Sequence, residues 1–334
     1  MTLAWTTALF VACGLLILFS GVHLSRYGDA IAEKTGVGGT WMGLLVIASV
    51  TSLPELITSA SSILVFEAPD IAAGDAIGSC MFNLLILSFL DFRNPAPLSA
   101  RIHQGHVLAA ALGIVLLGIA MLAMVAGDRV PMLGWIGWHS LVMLALYVLA
   151  MRTIFAFERT RMAALAEVIA AETTHGALTL RSAVLRFSFA ALVLVGAAAL
   201  LPGAGERLAQ QTGLAESFVG SLFVAISTSL PEVVVSVAAA RIGAMDMAVG
   251  NLFGSNLFNM AVLGLDDILY VQGSMLAAVS RVHLVSLTIA ILMTAIAIVG
   301  VTYRASRKRY RLSWDALAIL AAYVIGATLL RALG

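Results

Sequence analysis

A five-residue motif, Thr-Ser-Leu-Pro-Glu, occurs twice in this chain of 334 residues, at residues 51–55 and again at residues 228–232. Each copy lies deep inside a long apolar segment, where a carboxylate is costly and commonly marks an ion or proton site. The proline of each copy has no N–H, so one carbonyl of a surrounding helix loses its usual donor. Two such interruptions at matching places in two halves of a chain are typical of a transporter binding site.

The composition predicts a protein that crosses a membrane several times. Hydrophobic residues make up 61% of the chain and charged residues 11%, and the mean hydropathy is +1.02. The net charge of +1 excludes a strongly basic nucleic-acid-binding protein. The only two cysteines, Cys13 and Cys80, lie in predicted spans, so the sequence indicates neither a disulfide framework nor a cysteine metal cluster.

We predict an all-α polytopic membrane protein with ten transmembrane helices. The approximate bounds of the ten spans are 4–24, 38–65, 71–91, 106–126, 132–151, 183–203, 215–240, 247–268, 281–302 and 314–332. No basic residue precedes the first apolar run, so we expect a retained span rather than a cleaved signal. The second span is longer than a bilayer requires, which suits a tilted or broken helix.

The two halves of the chain match beyond the first motif. A second motif, Gly-x-x-x-Gly-Ser-x-x-Phe-Asn, occurs at residues 74–83 and 250–259. The matching segments start five spans apart, and because five is odd, the second half is expected to run upside down relative to the first. The predicted division is a first five-helix repeat at 1–151 with its motif region at 43–90, a cytoplasmic connector at 152–182, and a second repeat at 183–334 with its motif region at 220–267.

Basic residues predict the orientation of the chain in the membrane. With the N-terminus outside, all of the 19 Lys and Arg residues except Arg129, Arg207, Arg281 and Arg331 face the cytoplasm. This is a strong positive-inside bias. We therefore predict a multi-pass protein of the cell membrane (the inner, cytoplasmic membrane) with both termini on the outer side. Residues 159–172 of the connector fit either a plain linker or an amphipathic helix at the membrane surface.

The first motif carries oxygen ligands for a cation. On a regular helix Thr51 and Ser52 would share a face with Glu55. Carboxylates, hydroxyls and carbonyls freed by proline form an oxygen-only set, which suits Na⁺ and Ca²⁺. Neither copy of the motif contains His or Cys, which argues against Zn²⁺ or copper.

The second motif places a polar stripe on one helix face in each half. The two stripes are Asp75, Ser79 and Asn83 in the first half and Asn251, Ser255 and Asn259 in the second. Single polar groups of this kind often only hold helices together, but two matched stripes beside two matched Pro-Glu motifs favour a binding site. Asp75 fits two interpretations, a first-turn carboxylate stabilised by the helix dipole or a vestibule charge that attracts cations.

These paired segments resemble the α-repeats of the sodium/calcium exchangers, in the cation/Ca²⁺ antiporter superfamily. The resemblance is close over residues 20–90 and 200–268, and the ten-span plan covers the rest. It implies a secondary antiporter, not an enzyme, that exchanges Ca²⁺ for Na⁺ by alternating access. Spans 2, 3, 7 and 8 would hold the ions while spans 1 and 6 slide across them. The implied partners are the two ions and the lipid bilayer, no cofactor is expected, and the oligomeric state is left open.

The resemblance also implies a set of ion ligands. Glu55 and Glu232 would be the central carboxylates shared by Ca²⁺ and Na⁺. The flanking oxygen ligands would be Thr51, Ser52, Thr228 and Ser229, with the backbone carbonyls of Ala48 and Ala225 at outer sodium sites and Ser79, Asn83, Ser255 and Asn259 as ligands from spans 3 and 8.

The sequence departs from the family pattern at several of these positions. Val50 and Ser227 stand where a glycine is common, and Cys80 stands where an asparagine is usual. Some exchangers have an aspartate where this chain has Asn83 or Asn259. Because both are amides here, two glutamates carry the central charge, which balances one Ca²⁺ or two Na⁺ but leaves a third Na⁺ without a counter-charge.

Two other functions are weighed against this one. A glutamate in a low dielectric can carry a proton, so an H⁺-coupled (or other monovalent-coupled) divalent cation antiporter of the same fold is the alternative. A membrane-embedded hydrolase would need a nucleophile–base pair or a histidine-containing metal motif, and the sequence shows neither. Na⁺ coupling is therefore preferred.

Overall fold

The computed structural model describes residues 2–36, 39–129, 131–166, 178–212, 228–304, 308 and 311–333. Within these residues, nine helical segments are long and apolar enough to cross a membrane. The seventh predicted span, 215–240, is the one without a counterpart among them, because its residues 215–227 lie outside the described part of the chain.

The structure is almost entirely helical. The helices are α1 (Leu3–Thr35), α2 (Gly39–Trp41), α3 (Ala48–Thr51), α4 (Leu53–Leu64), α5 (Pro69–Arg93), α6 (Leu98–Arg101), α7 (Gly105–Ala126), α8 (Trp138–Ala166), α9 (Leu180–Thr212), α10 (Leu230–Arg241), α11 (Met245–Leu269), α12 (Met275–Ala278), α13 (His283–Tyr303) and α14 (Trp314–Leu333). A π-helical segment, Met42–Ile47, joins α2 to α3, a 3-10 turn, Gly127–Arg129, follows α7, and β1 (Met132–Leu133) pairs antiparallel with β2 (Ile136–Gly137).

The second predicted span is a broken helix, as its length indicated. Residues 39–64 pass from α2 through the π-helical segment into α3, and a turn at Ser52 separates α3 from α4. π-helical turns are rare and occur frequently at functional sites. The break falls inside the first motif.

The fifth predicted span starts later and ends later than the sequence indicated. Residues 132–137 form the small hairpin instead of a helix, with Gly134 at a φ of 68° in its turn. The prediction of a start at 132 was therefore wrong, because hydropathy does not distinguish an apolar hairpin from an apolar helix. At the other end, α8 continues to Ala166, into the residues predicted as connector. Those from 167 to 177 lie outside the described part of the chain.

The chain packs into two compact units, each built from both halves of the sequence. The first contains Met1–Ile57 and Arg161–Asn251, and the second contains Thr58–Thr160 and Leu252–Gly334. The predicted repeats, in contrast, divide the chain by sequence likeness, and their boundaries stay a prediction.

In the first unit, α1 packs along α9 and against α10. Cys13 and Ile17 of α1 lie in a buried apolar cluster with Ala198 and Leu201 of α9. Gly21 is required at the contact with α10, because a Cβ there would lie 2.6 Å from Cγ1 of Val234. These contacts place α10, which carries Glu232 of the second copy of the first motif, beside α1.

In the second unit, two buried carboxylates hold the starts of helices. Asp91, near the end of α5, accepts hydrogen bonds from the backbone N–H groups of Leu98 (2.7 Å) and Ser313 (2.8 Å). Leu98 begins α6, and Ser313 directly precedes α14. The ammonium of Lys308 lies 3.1 Å from Oδ1 of Asp91 and so compensates its charge.

Asp267, near the end of α11, makes the matching contacts in the second repeat. Its oxygens accept hydrogen bonds from the N–H groups of Met275 (2.7 Å) and Gly137 (2.9 Å) and from the hydroxyl of Ser140 (2.7 Å). Met275 begins α12, and Gly137 directly precedes α8. When Asn83 is aligned with Asn259, Asp91 is aligned with Asp267, so the repeat extends to these helix-capping carboxylates.

Candidate functional site

Both copies of the first motif break their helix at the same residue. Ser52 has φ −93° and ψ 5°, and Ser229 has φ −88° and ψ 2°. This sparsely populated backbone region is one where active-site residues are found. A new helix begins directly after each serine, so Pro54 and Pro231 sit in a first turn, where a missing N–H costs little.

The same geometry places each motif glutamate in the first turn of a helix, Glu55 in α4 and Glu232 in α10. The positive end of the helix dipole there stabilises a carboxylate. Both side chains are buried, with 1% of their surface exposed. A buried carboxylate needs compensation by hydrogen bonds or by a cation.

The two copies of the first motif meet within the first unit. The hydroxyl of Ser52 donates a hydrogen bond of 2.9 Å to Oε1 of Glu232. The sequence predicted a cluster on one helix face around Glu55, but it did not predict this contact between repeats. The six oxygen-bearing side chains of the two copies are all buried in this unit: Thr51, Ser52, Glu55, Thr228, Ser229 and Glu232.

Asn251 extends this set of polar groups. Its Oδ1 lies 3.2 Å from the hydroxyl of Thr51, and its Nδ2 donates a hydrogen bond of 3.0 Å to the hydroxyl of Ser236. Thr51 also lies 3.2 Å from the carbonyl oxygen of Ala48, which accepts the N–H of Ser52 as well. Ser236 was not among the predicted residues, although it matches Ser59 in the repeat alignment.

Two glycines allow the broken helix to reach α11. A Cβ at Gly43 would collide with the carbonyl oxygen of Met247 and lie 2.9 Å from the backbone nitrogen of Asn251. A Cβ at Gly250 would lie 2.6 Å from the carbonyl oxygen of Thr40. The backbones of the two segments are therefore in direct contact, which brings Asn251 to the first motif.

The four ligands predicted from spans 3 and 8 lie in the second unit, on α5 and α11. All four are buried, with exposed fractions of 6% for Ser79, 1% for Asn83, 0% for Ser255 and 1% for Asn259. Asn256, which was not predicted, accepts a hydrogen bond of 3.0 Å from Nδ2 of Asn83. At Gly78 of the second motif a Cβ would meet no described atom within 4 Å, so close packing among the described residues does not require this glycine.

Two acidic residues of the second unit differ from the expectation. α5 begins at Pro69, so Asp75 lies in the second turn, and the first-turn carboxylate is Asp70, which accepts the N–H of Ser280 at 2.7 Å. The helix-dipole interpretation of Asp75 therefore fails. Asp266, which was not singled out, is fully buried and accepts a hydrogen bond from Ser59; a carboxylate inside a span was the available signal.

Ala225, predicted as a backbone ligand, lies outside the described residues. Its counterpart Ala48 is buried at the start of α3.

The chain is similar to known membrane proteins. The family model described as sodium/calcium exchanger protein matches residues 5–156 and 182–331. An uncharacterized membrane protein of Methanocaldococcus jannaschii is 31% identical over 246 residues, 73% of this chain and 75% of its own. The inner membrane protein YrbG of Escherichia coli is 30% identical over 268 residues, 78% of each chain.

Among solved structures, one of the sodium-calcium exchanger NCX_Mj superposes with a TM-score of 0.76 at 21% identity, covering 98% of this chain and 99% of that chain. The double family match and this superposition confirm the predicted fold class, ten transmembrane helices in two inverted five-helix repeats.

Proposed function

The chain belongs to the sodium/calcium exchanger protein family, and from that premise we propose that Ca²⁺ and Na⁺ compete for one site centred on Glu55 and Glu232. The protein is a multi-pass membrane antiporter that exchanges Ca²⁺ for Na⁺. The observation that supports this centre is the hydrogen bond between Ser52 and Glu232, which joins the two copies of the first motif within one compact unit.

Charge is the main reason for a cation here. Glu55 and Glu232 are both 1% exposed, and a buried ionised carboxylate without compensation costs several kcal/mol. The first-turn position of each glutamate supplies part of that compensation, typically about 0.3–1 kcal/mol. The hydrogen bond from Ser52 contributes at Glu232, and bound cations would balance the net charge, since two carboxylates match one Ca²⁺ or two Na⁺.

The ligand chemistry fits both ions. Ca²⁺ takes six to eight oxygen ligands from carboxylates, carbonyls and hydroxyl or water oxygens. We propose the motif hydroxyls of Thr51, Ser52, Thr228 and Ser229 as ligands beside the glutamates. The other proposed ligands, carried over from the sequence, are Ala48, Ala225, Ser79, Asn83, Ser255 and Asn259.

Exchange follows from competition for the same oxygens. An empty site would carry the negative charge of two buried carboxylates through the low dielectric of the membrane, which is costly. The site therefore changes sides loaded, with Ca²⁺ in one direction and Na⁺ in the other. We propose that α1 and α9, the first and sixth spans, slide across the helices that hold the ions. Both termini face the outside of the cell membrane in this proposal.

Na⁺ is the proposed coupling ion. The family match favours Na⁺ over the H⁺-coupled alternative. Transport in this family is not an enzymatic reaction, and the proposal includes no cofactor.

Flux measurements on purified protein in proteoliposomes test this function. An outward Na⁺ gradient should drive ⁴⁵Ca²⁺ uptake, whereas an equal K⁺ gradient or a pH gradient should not. Glu55→Gln and Glu232→Gln should abolish the uptake, and the exposed Glu67, changed to Gln, serves as the matched control that retains it. Uptake driven by a pH gradient without Na⁺ would show that H⁺ is the coupling ion. Full uptake by both glutamate variants would show that the site is not centred on Glu55 and Glu232.

A further inference from the structure

A short chain of amide contacts runs between α5 and α11 in the second unit. Nδ2 of Asn83 donates a hydrogen bond of 3.0 Å to Oδ1 of Asn256. Nδ2 of Asn256 in turn donates a hydrogen bond of 3.2 Å to the backbone carbonyl of Cys80. Asn83 is 1% exposed and Asn256 is 6% exposed, so bulk water does not compete for these groups.

The backbone end of this chain fixes the orientation of both amides. A carbonyl oxygen can only accept, so Asn256 must present its NH₂ group to Cys80 and its oxygen to Asn83. Asn83 must then present its NH₂ group to Asn256. Turning either amide over would bring two oxygens or two NH₂ groups together, and the buried groups would lose their hydrogen bonds.

As a consequence, the side-chain oxygen of Asn83 takes no part in this chain of hydrogen bonds. Its Oδ1 is buried and accepts no hydrogen bond from the described residues. A buried acceptor without a partner costs about 1–3 kcal/mol, and a cation supplies that partner. The NH₂ group, in contrast, carries positive partial charge and would repel a cation.

We propose that Asn256 is a positioning residue, which holds the amide of Asn83 so that its oxygen is available to the transported cation. The inference rests on the proposed function, because it takes Asn83 as one of the ion ligands. Asn256 does not itself touch the ion in this account, and it acts only through Asn83.

The two repeats differ at this position. When Asn83 is aligned with Asn259, Asn256 is aligned with Cys80. A thiol is a weak hydrogen-bonding group, whereas an amide both donates and accepts strongly. Cys80 therefore gives Asn259 a weaker hydrogen-bonding partner than the amide of Asn256 gives Asn83.

A double-mutant cycle tests the inference. Asn256→Leu removes the amide at similar volume, and Asn256→Ala is used in its place if the leucine variant is not monodisperse. Each Asn256 variant is made in the natural chain and in the Asn83→Asp chain. An aspartate at position 83 offers a carboxylate oxygen whichever way its side chain is turned. The measurement is the apparent affinity for Ca²⁺, by equilibrium ⁴⁵Ca²⁺ binding to detergent-purified protein. Asn94→Leu, the same change near the end of α5, is the matched control.

The expected result is a loss of Ca²⁺ affinity of about ten- to a hundredfold for the Asn256 variant with Asn83 present, the range seen when a partner that orients a metal ligand is removed. In the Asn83→Asp background the same change should cost little, because an aspartate offers an oxygen in either orientation. Equal losses in both backgrounds would show a general structural effect and overturn the inference. No loss with Asn83 present would overturn it as well.

Asn83→Asp alone must bind Ca²⁺ for the inference to stand, since a carboxylate supplies the oxygen without help from Asn256. The proposed function fails separately, through Glu55→Gln and Glu232→Gln. If those two variants lose Ca²⁺ and the Asn256 variants do not, the function stands and the inference falls.

Discussion

Ser52, in the first copy of the Thr-Ser-Leu-Pro-Glu motif, donates its hydroxyl hydrogen to Oε1 of Glu232, in the second copy, at 2.9 Å. Because Ser52 lies just before Glu55 in the chain, this contact brings the carboxylate-bearing segments of the two repeats together in the first unit. A hydrogen bond to a charged group is about twice as strong as a neutral one. The contact therefore stabilises the ionised form of Glu232 and orients it.

Ser52→Ala should lower the apparent affinity for Ca²⁺. The change removes a hydrogen bond to a buried carboxylate, and such bonds contribute about 1.5–3 kcal/mol, so a loss of about tenfold or more is expected. The concentration dependence of Na⁺-driven ⁴⁵Ca²⁺ uptake measures it. Ser62→Ala is the control, because among the described residues Ser62 donates to the carbonyl of Thr58 within its own helix. An unchanged affinity in Ser52→Ala would contradict the assigned role.

Gly43→Ala should destabilise the protein. The new methyl group would collide with the carbonyl oxygen of Met247 and crowd the backbone nitrogen of Asn251, and overpacking of this kind costs about 1–3 kcal/mol. A lower melting temperature in detergent, followed by tryptophan fluorescence, checks the expectation. At Gly14 of α1 a Cβ meets no described atom within 4 Å, so Gly14→Ala should melt no lower than the natural chain. Equal melting of the two variants would mean that the close contact with α11 is absent.

Asp266 and Asp267 are adjacent in sequence but should respond in opposite ways to replacement by Asn. The oxygens of Asp267 accept two backbone N–H groups and the hydroxyl of Ser140, and an amide nitrogen cannot accept the bonds made to the oxygen it replaces. We expect Asp267→Asn to lose about 1.5–3 kcal/mol of stability. Asp266 accepts a hydrogen bond from Ser59, which an amide oxygen can also accept.

Asp266→Asn should therefore melt at the natural temperature or above it, because it removes a charge that is costly to bury. Thermal unfolding of both variants side by side checks the pair. A larger loss of thermal stability for Asp266→Asn than for Asp267→Asn would contradict the helix-capping role of Asp267.

Exchange should be electrically neutral. Asn83 and Asn259 are amides, so in the proposed site Glu55 and Glu232 carry the central charge, which balances one Ca²⁺ or two Na⁺. A K⁺ diffusion potential set with valinomycin should then leave the equilibrium of Na⁺-driven Ca²⁺ uptake unchanged. Asn259→Asp adds a third carboxylate and should make the equilibrium depend on the potential. Potential dependence in the natural chain would indicate a third Na⁺.

The limits of the spans were predicted best where polar residues or a proline flank an apolar run. The third predicted span, 71–91, is α5 (Pro69–Arg93), and the eighth, 247–268, is α11 (Met245–Leu269). The helix break was predictable as well, since a proline beside a glutamate inside an apolar segment leaves few other interpretations. The start of the fifth span was not, because the hairpin at 132–137 is as apolar as a helix.

The site was predicted as a list of residues and not as a set of contacts. Both motif glutamates are buried at helix starts, but the bond from Ser52 to Glu232 joins residues far apart in sequence and depends on how α3 and α10 pack. Asn256 was not predicted, because its proposed role is to orient Asn83 and not to bind the ion. Asp91 and Asp267 could have been found, since they occupy matching places in the repeat and lie inside apolar spans.

Equilibrium binding of ⁴⁵Ca²⁺ to purified protein at increasing Na⁺ concentrations tests the central claim most directly. If the two ions compete for the oxygens around Glu55 and Glu232, the apparent dissociation constant for Ca²⁺ should rise steadily with Na⁺ while the number of bound Ca²⁺ at saturation stays constant. K⁺ at equal ionic strength should leave both quantities unchanged. A dissociation constant for Ca²⁺ that does not respond to Na⁺ would contradict a shared site.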